Sequence, residues 1–102
     1  MIRHVSVLTF VEGVRDEQIA AVSDALATLP GRIPIHTYSF GPDLGLAEGN
    51  AEYVVVADFP DADAYRVYRD DEEHQRILRE VIKPILSSRA AAQYVIVPDP
   101  PL

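Results

Sequence analysis

The sequence predicts an α+β domain of ferredoxin-like type, with elements in the order β-α-β-β-α-α-β and a four-stranded antiparallel sheet carrying its helices on one face. Three observations carry that expectation. Runs of β-branched and aromatic residues with period-two alternation recur at residues 2–11, 35–40, 51–59 and 91–97. Apolar residues at helical spacing fill the gap between the first and second runs, and again between the third and fourth. Finally, 102 residues of 48% hydrophobic composition supply one core and leave no room for a second. Residues 1–97 are therefore read as a single domain, and 98–102 as a short proline-rich tail.

Each element has its own justification. The first strand, from Ile2, ends at Glu12-Gly13. Asp16 is a candidate N-cap, Glu17 favours the first helical turn, and Ile19, Val22, Leu26 and Leu29 follow at helical spacing until Pro30-Gly31 stops the helix. Ile35 to Phe40 alternates again as the second strand. Gly41-Pro42-Asp43 through Gly49-Asn50 is dense in turn formers and predicts a mobile loop. Ala51 to Phe59 is the third strand, closed by Pro60. Asp61 starts a short helix bearing Ala64, Tyr65 and Tyr68, which Asp70-Asp71 interrupts. From Glu72 a longer helix carries Ile77, Leu78, Val81, Ile82, Ile85 and Leu86 as one apolar stripe, bent by Pro84, with Arg76, Arg79, Glu80 and Lys83 on its outer face. Ala91 to Val97 is the last strand.

Side-chain parity adds a quaternary expectation. In the first strand Ile2, His4, Leu8 and Phe10 point one way and Val5, Val7 and Val11 the other; in the third, Tyr53, Val55, Ala57 and Phe59 oppose Val54 and Val56. Both sheet faces are apolar, yet one chain has helices for one face only. The open face predicts a twofold homodimer joined through its sheets, burying on the order of 800 Å² per partner.

Composition excludes several functions. Nine basic against sixteen acidic side chains give a formal charge of −7, the wrong sign for a nucleic-acid or anionic-membrane partner. The absence of cysteine excludes disulfides, thiolate catalysis and cysteine-held metals, and suits a cytoplasmic location. No apolar run approaches the length of a membrane span. Nucleophile-elbow, dinucleotide and phosphate-loop motifs are missing, and His4, His36 and His74 are scattered, so neither a metal nor an organic cofactor is expected. Arg66, Arg69 and Arg79 read as surface partners of Asp63, Asp70 or Glu80.

What remains is one constellation. With His4 and Tyr53 on the helix-covered face, they and Tyr68 and His74 could line a cavity between sheet and helices, an apolar pocket with few polar groups. A histidine can take a proton at pH 7, and a tyrosine hydroxyl can donate to a carbonyl oxygen as charge grows on it. Together they suit enolisation and an aldol-type closure without a cofactor. The structural alternatives are a hydrogen-bonded core histidine at His4, a core tyrosine at Tyr68, and a solvated helix-start residue at His74 whose neighbours Glu72 and Glu73 would raise its charged fraction.

Several of these residues also resemble a known family. Ile2-Arg3-His4-Val5 followed by Phe10, Leu29-Pro30-Gly31, the Tyr68 to His74 spacing, Leu78 with Ile82-Lys83-Pro84-Ile85-Leu86, and Tyr94-Val95 are similar to the stress-responsive A/B-barrel (Dabb) family of dimeric α/β barrels across about residues 2–97. Asp71-Glu72-Glu73-His74 departs from the His-Pro usual ahead of the family's second histidine. The resemblance implies the fold and homodimer argued above. It also implies, by analogy with polyketide cyclases of the olivetolic acid cyclase type, His74 and Tyr68 as catalytic residues and His4 as a pocket residue. Tyr53 falls where those enzymes have a further pocket histidine. Two functions follow as expectations: a cofactor-independent cyclase or isomerase acting on a polyketide-like or phenolic substrate, or a non-catalytic stress-response protein that holds a small apolar or phenolic ligand.

Overall fold

In the computed structural model, which describes residues 1–99, the chain folds as β1 (Ile2–Phe10), α1 (Asp16–Leu26), β2 (Thr37–Pro42), β3 (Tyr53–Phe59), α2 (Ala62–Asp70), α3 (Glu72–Ile77) and β4 (Leu86–Val95). Between α3 and β4 lie a wide π-type turn, Leu78–Ile82, and a tight 3-10 turn, Lys83–Ile85. The strands form one antiparallel sheet in the order β2-β3-β1-β4, so the chain passes over β3's place before returning to fill it. This is the ferredoxin-like α+β architecture expected from the element order. Pro100 and Pro101 of the expected tail lie outside the described residues.

The parity of β1 and β3 is as read. His4, Ser6, Leu8 and Phe10 are buried beneath the helices, and Tyr53, Val55, Ala57 and Phe59 with them. Val22 and Leu26 of α1, with Leu29 beyond it, close over this face, and Ile77, Ile82 and Ile85 seal the other half of the core. Burying each of these aliphatic side chains contributes roughly 2 kcal/mol. On the opposite face Val5, Val7, Val54 and Val56 are only half covered, and Ala90 and Ala92 of β4 extend the stripe. That face also carries one strong ion pair. Arg3 donates from Nε and Nη2 to the two carboxylate oxygens of Asp58 at 2.8 and 3.0 Å, and Thr37 Oγ1 donates to the same group. The guanidinium holds the Asp58 carboxyl below its usual range.

Several boundaries differ from the sequence reading. The N-cap of α1 is Arg15, not Asp16, because Gln18 Oε1 reaches back to the Arg15 amide at 2.9 Å and pulls Asp16 into the first turn. β2 starts at Thr37 because the Ile35 amide donates to the Ile33 carbonyl at 2.8 Å, a tight turn that buries Ile33 and delays the extended backbone. The loop after β2 is tied by Asp43, whose carboxylate accepts from the Gly45 amide at 2.8 Å while Gly45 adopts φ +71°, a conformation costly for other residues. The largest difference is at the end of the apolar stripe. Regular helix stops at Ile77, and Leu86 is already strand, paired with Phe10 across a bulge. Pairing with β1 thus makes strand of Ser87-Ser88-Arg89-Ala90, a segment whose composition does not favour it.

Candidate active site

The site is built where α2 stops and α3 starts. Asp71 breaks the helix with extended backbone (ψ 135°), and its carboxylate accepts from the His74 amide at 3.0 Å, capping α3. Arg32 fixes the same carboxylate at 3.1 Å. The sharp turn folds His74 back onto Tyr68, six positions earlier, and the two rings stack with centroids 4.2 Å apart. His4, on the facing strand, lies 6.0 Å from the Tyr68 ring and 5.2 Å from Tyr65. His4, Tyr68 and His74 thus border one cavity of about 630 Å³, floored by Leu8, Val55, Ile82 and Leu86. That volume is ordinary for a small-molecule site.

Tyr53 is placed elsewhere. It faces the helices, but its hydroxyl bonds Ser23 Oγ of α1 at 2.7 Å and its ring packs on Phe10, so it is core beneath α1 and not part of this cavity. The hydroxyl partner of Tyr68 is instead Tyr38, from β2, at 3.1 Å. Nothing in the spacing singled out Tyr38, whose meeting with Tyr68 depends on β2 pairing with β3 beneath α2.

Both imidazoles have a defined tautomer. The Arg69 carbonyl can only accept, so at 3.2 Å it holds the proton on His74 Nδ1 and leaves Nε2 as the basic nitrogen. The Gln93 amide nitrogen can only donate, so at 2.9 Å it makes His4 Nδ1 the acceptor and places that proton on Nε2. One cavity therefore holds a histidine with a free lone pair and another with a free N–H.

Burial keeps both neutral. It lowers the pKa of His74 against the opposing pull of the Arg69 carbonyl and Asp71, with Arg89 adding to the lowering. Glu72 is exposed and Glu73 turns to Arg76 at 2.9 Å, so the expected raising by those acids is overridden by desolvation. His4 is pushed down to about 4, by burial first and then by Arg89 and His74. Burial raises Tyr68 and Tyr38, which stay neutral phenols.

A pH effect on stability follows from His4. Its unfolded pKa is 6.5 and its folded pKa about 4, so as pH falls the unfolded chain takes up the proton first. Stability is full above 6.5 and declines towards 4, by about 3 kcal/mol for this group. His4→Gln should show a shallower loss of urea midpoint between about pH 7 and about pH 5 than the parent protein. Equal slopes would rule out a neutral, buried His4.

The rim of the cavity was not legible. Arg69, Gln75, Arg79, Lys83 and Arg89 stand around its mouth. Arg66 and Arg69 pair with Asp63 and Asp70 as the spacing suggests, but Arg79 does not pair with Glu80, which bonds Arg76 at 3.0 Å instead. Arg79 and Lys83 stand where the helix widens into a π-type turn. The Lys83 amide bonds the Leu78 carbonyl, five residues back, which adds a residue to the turn and swings Arg79 and Lys83 from the expected outer face to the cavity.

Fold and site together define a ferredoxin-like α+β protein with an apolar pocket, lined by two neutral histidines and a tyrosine, beneath its helices. Residues 2–96 match the Stress responsive A/B Barrel Domain (Dabb), and the chain belongs to that family. A dimeric ferredoxin-like protein of unknown function from Thermobifida fusca is similar at 40% identity and TM-score 0.86, over 93% of this chain and 90% of that one. A Dabb protein from Mesorhizobium loti shares the fold at 18% identity and TM-score 0.77, over 94% and 96% of the two chains. So does a hydroxynitrile lyase from Passiflora edulis, at 15% identity and TM-score 0.81, over 98% and 96%. No curated protein matches the chain.

Proposed function

We propose that the protein is a homodimer, joined through its open sheet face, whose pocket performs cofactor-independent proton transfer on a small carbonyl compound of phenolic or polyketide-like character. The observation that carries this is the stacked Tyr68–His74 pair lining a cavity, with the basic nitrogen of His74 set by the Arg69 carbonyl. His74 Nε2 takes a proton from the carbon beside a carbonyl. The C–H electrons form the enolate double bond, and the charge that reaches the oxygen is met by O–H from Tyr68 or N–H from His4. Attack of the enolate carbon on a second carbonyl forms a C–C bond, and the resulting alkoxide recovers the proton from His74. Dimeric assembly of the Thermobifida fusca relative supports the homodimer, as does the half-covered valine stripe on this chain's sheet. The resemblance to cyclases of the olivetolic acid type is consistent with this chemistry; the hydroxynitrile lyase, at 15% identity, contributes the fold alone.

The reading is tested with phenylacetone in D₂O, following exchange of its α-hydrogens by NMR. Acceleration over buffer is expected, and its absence would overturn catalysis. A Tyr68→Phe protein should exchange about 10- to 100-fold more slowly than the parent. One observation favours a second reading, a pocket that only binds: the Tyr68 hydroxyl already has a partner in Tyr38. Under that reading Tyr68→Phe weakens binding only modestly and neither protein exchanges the ketone.

A further inference from the structure

The chain has nine basic side chains, and six of them pair with carboxylates: Arg3, Arg15, Arg32, Arg66, Arg69 and Arg76. Among the described residues the remaining three, Arg79, Lys83 and Arg89, form no ion pair, and all three stand at the mouth of the same cavity. Sixteen acidic side chains are available to a protein of net charge −7, yet none lines this pocket. Chance pairing on an acidic surface would leave carboxylates in excess everywhere; here Arg69 alone of the mouth's cations is paired, with Asp70, and the other three have no carboxylate partner among the described residues. The side chain most able to neutralise Arg79, its neighbour Glu80, is turned to Arg76. Arg89 is oriented as well, since its Nε donates to Ser6 Oγ at 3.1 Å, on the sheet floor beneath the cavity.

From this charge pattern we infer that the pocket's natural ligand is an amphipathic anion, with an aromatic or aliphatic body held on the apolar floor and a carboxylate at the mouth against Arg79, Lys83 and Arg89. The inference rests on the pocket being a small-molecule site and deepens it. A guanidinium fork matches a carboxylate bidentately, and a lysine adds a compact charge beside it. Arg89's field also reaches both imidazoles, where it favours their neutral forms. Long-range repulsion from the rest of this acidic chain would be offset at the mouth alone.

The test uses 4-pentylbenzoate and its neutral counterpart 4-pentylbenzamide, titrated calorimetrically into the intact protein. The carboxylate should bind about 10- to 100-fold more tightly than the amide, with the preference shrinking as salt rises from about 50 to about 200 mM. Arg79→Gln, Lys83→Gln and Arg89→Gln together should abolish the preference while leaving amide affinity within about twofold; Arg79→Gln alone should reduce it in the same direction. Equal affinities of the parent protein for both probes would overturn the anion site while leaving the pocket standing. No binding of either probe at about 1 mM would overturn the pocket reading and this one with it.

Discussion

Alanine in place of His74 is expected to slow α-hydrogen exchange, and turnover of any substrate the parent protein converts, by about 10²- to 10⁴-fold, the range that a positioned general base supplies. The geometry makes the loss specific. Tyr68 keeps its partner Tyr38, the Arg69 carbonyl keeps a donor in Gln75 Nε2 at 2.6 Å, and Asp71 accepts from the residue 74 amide whatever the side chain. What disappears is the basic nitrogen and the ring stacked on Tyr68. Acid–base behaviour gives an independent check. Burial lowers the His74 pKa below 6.5, so kcat/KM of the parent should be flat at neutral pH and fall on the acid side, with its inflection below 6.5, as Nε2 is protonated. Retained exchange in His74→Ala, or an acid limb unchanged by it, would remove His74 from the mechanism.

Under the proposed sheet-to-sheet assembly, Val7→Asp should convert the dimer to monomers. Val7 sits mid-strand on the open face, paired with Val54 on one side and Ala90 on the other, in the middle of the apolar stripe. Twofold symmetry places the new charge in the interface twice. An unpaired buried carboxylate costs about 3 kcal/mol, so two cost about 6 kcal/mol, roughly 10⁴-fold in Kd. Aspartate is chosen because its short side chain cannot reach solvent as lysine can. Val7→Thr, of nearly the same shape, serves as the control and should remain dimeric. Sedimentation at micromolar protein with circular dichroism separates the outcomes. A folded Val7→Asp protein that still sediments as a dimer would mean that the copies meet through another surface.

The residues that the chain could assign to the site on its own are those fixed by local pattern. Period-two alternation placed His4 on the same face as Leu8, and that face proved to be the helix-covered one because Phe10 and Ala57 are buried on it. Asp71, which ends one helix and caps the next, set the Tyr68–His74 spacing that local chemistry turns into a stacked pair. Tyr53 shows where pattern alone was insufficient. Parity gives its face correctly, but its position along β3 puts it beneath α1, and only the packing of Ser23 over it reveals that.

Sequence therefore determined the element order, the two apolar sheet faces and the family, because periodicity, caps and breakers act within a few residues of each other. The tertiary structure decided the charge of the pocket mouth and the partner of Tyr68. A π-type turn at Leu78–Ile82 breaks the helical period that would locate Arg79 and Lys83, and Arg89 lies in a strand that exists only through pairing with β1. Backbone hydrogen bonds between distant segments, invisible to any local spacing, settle where those cations stand.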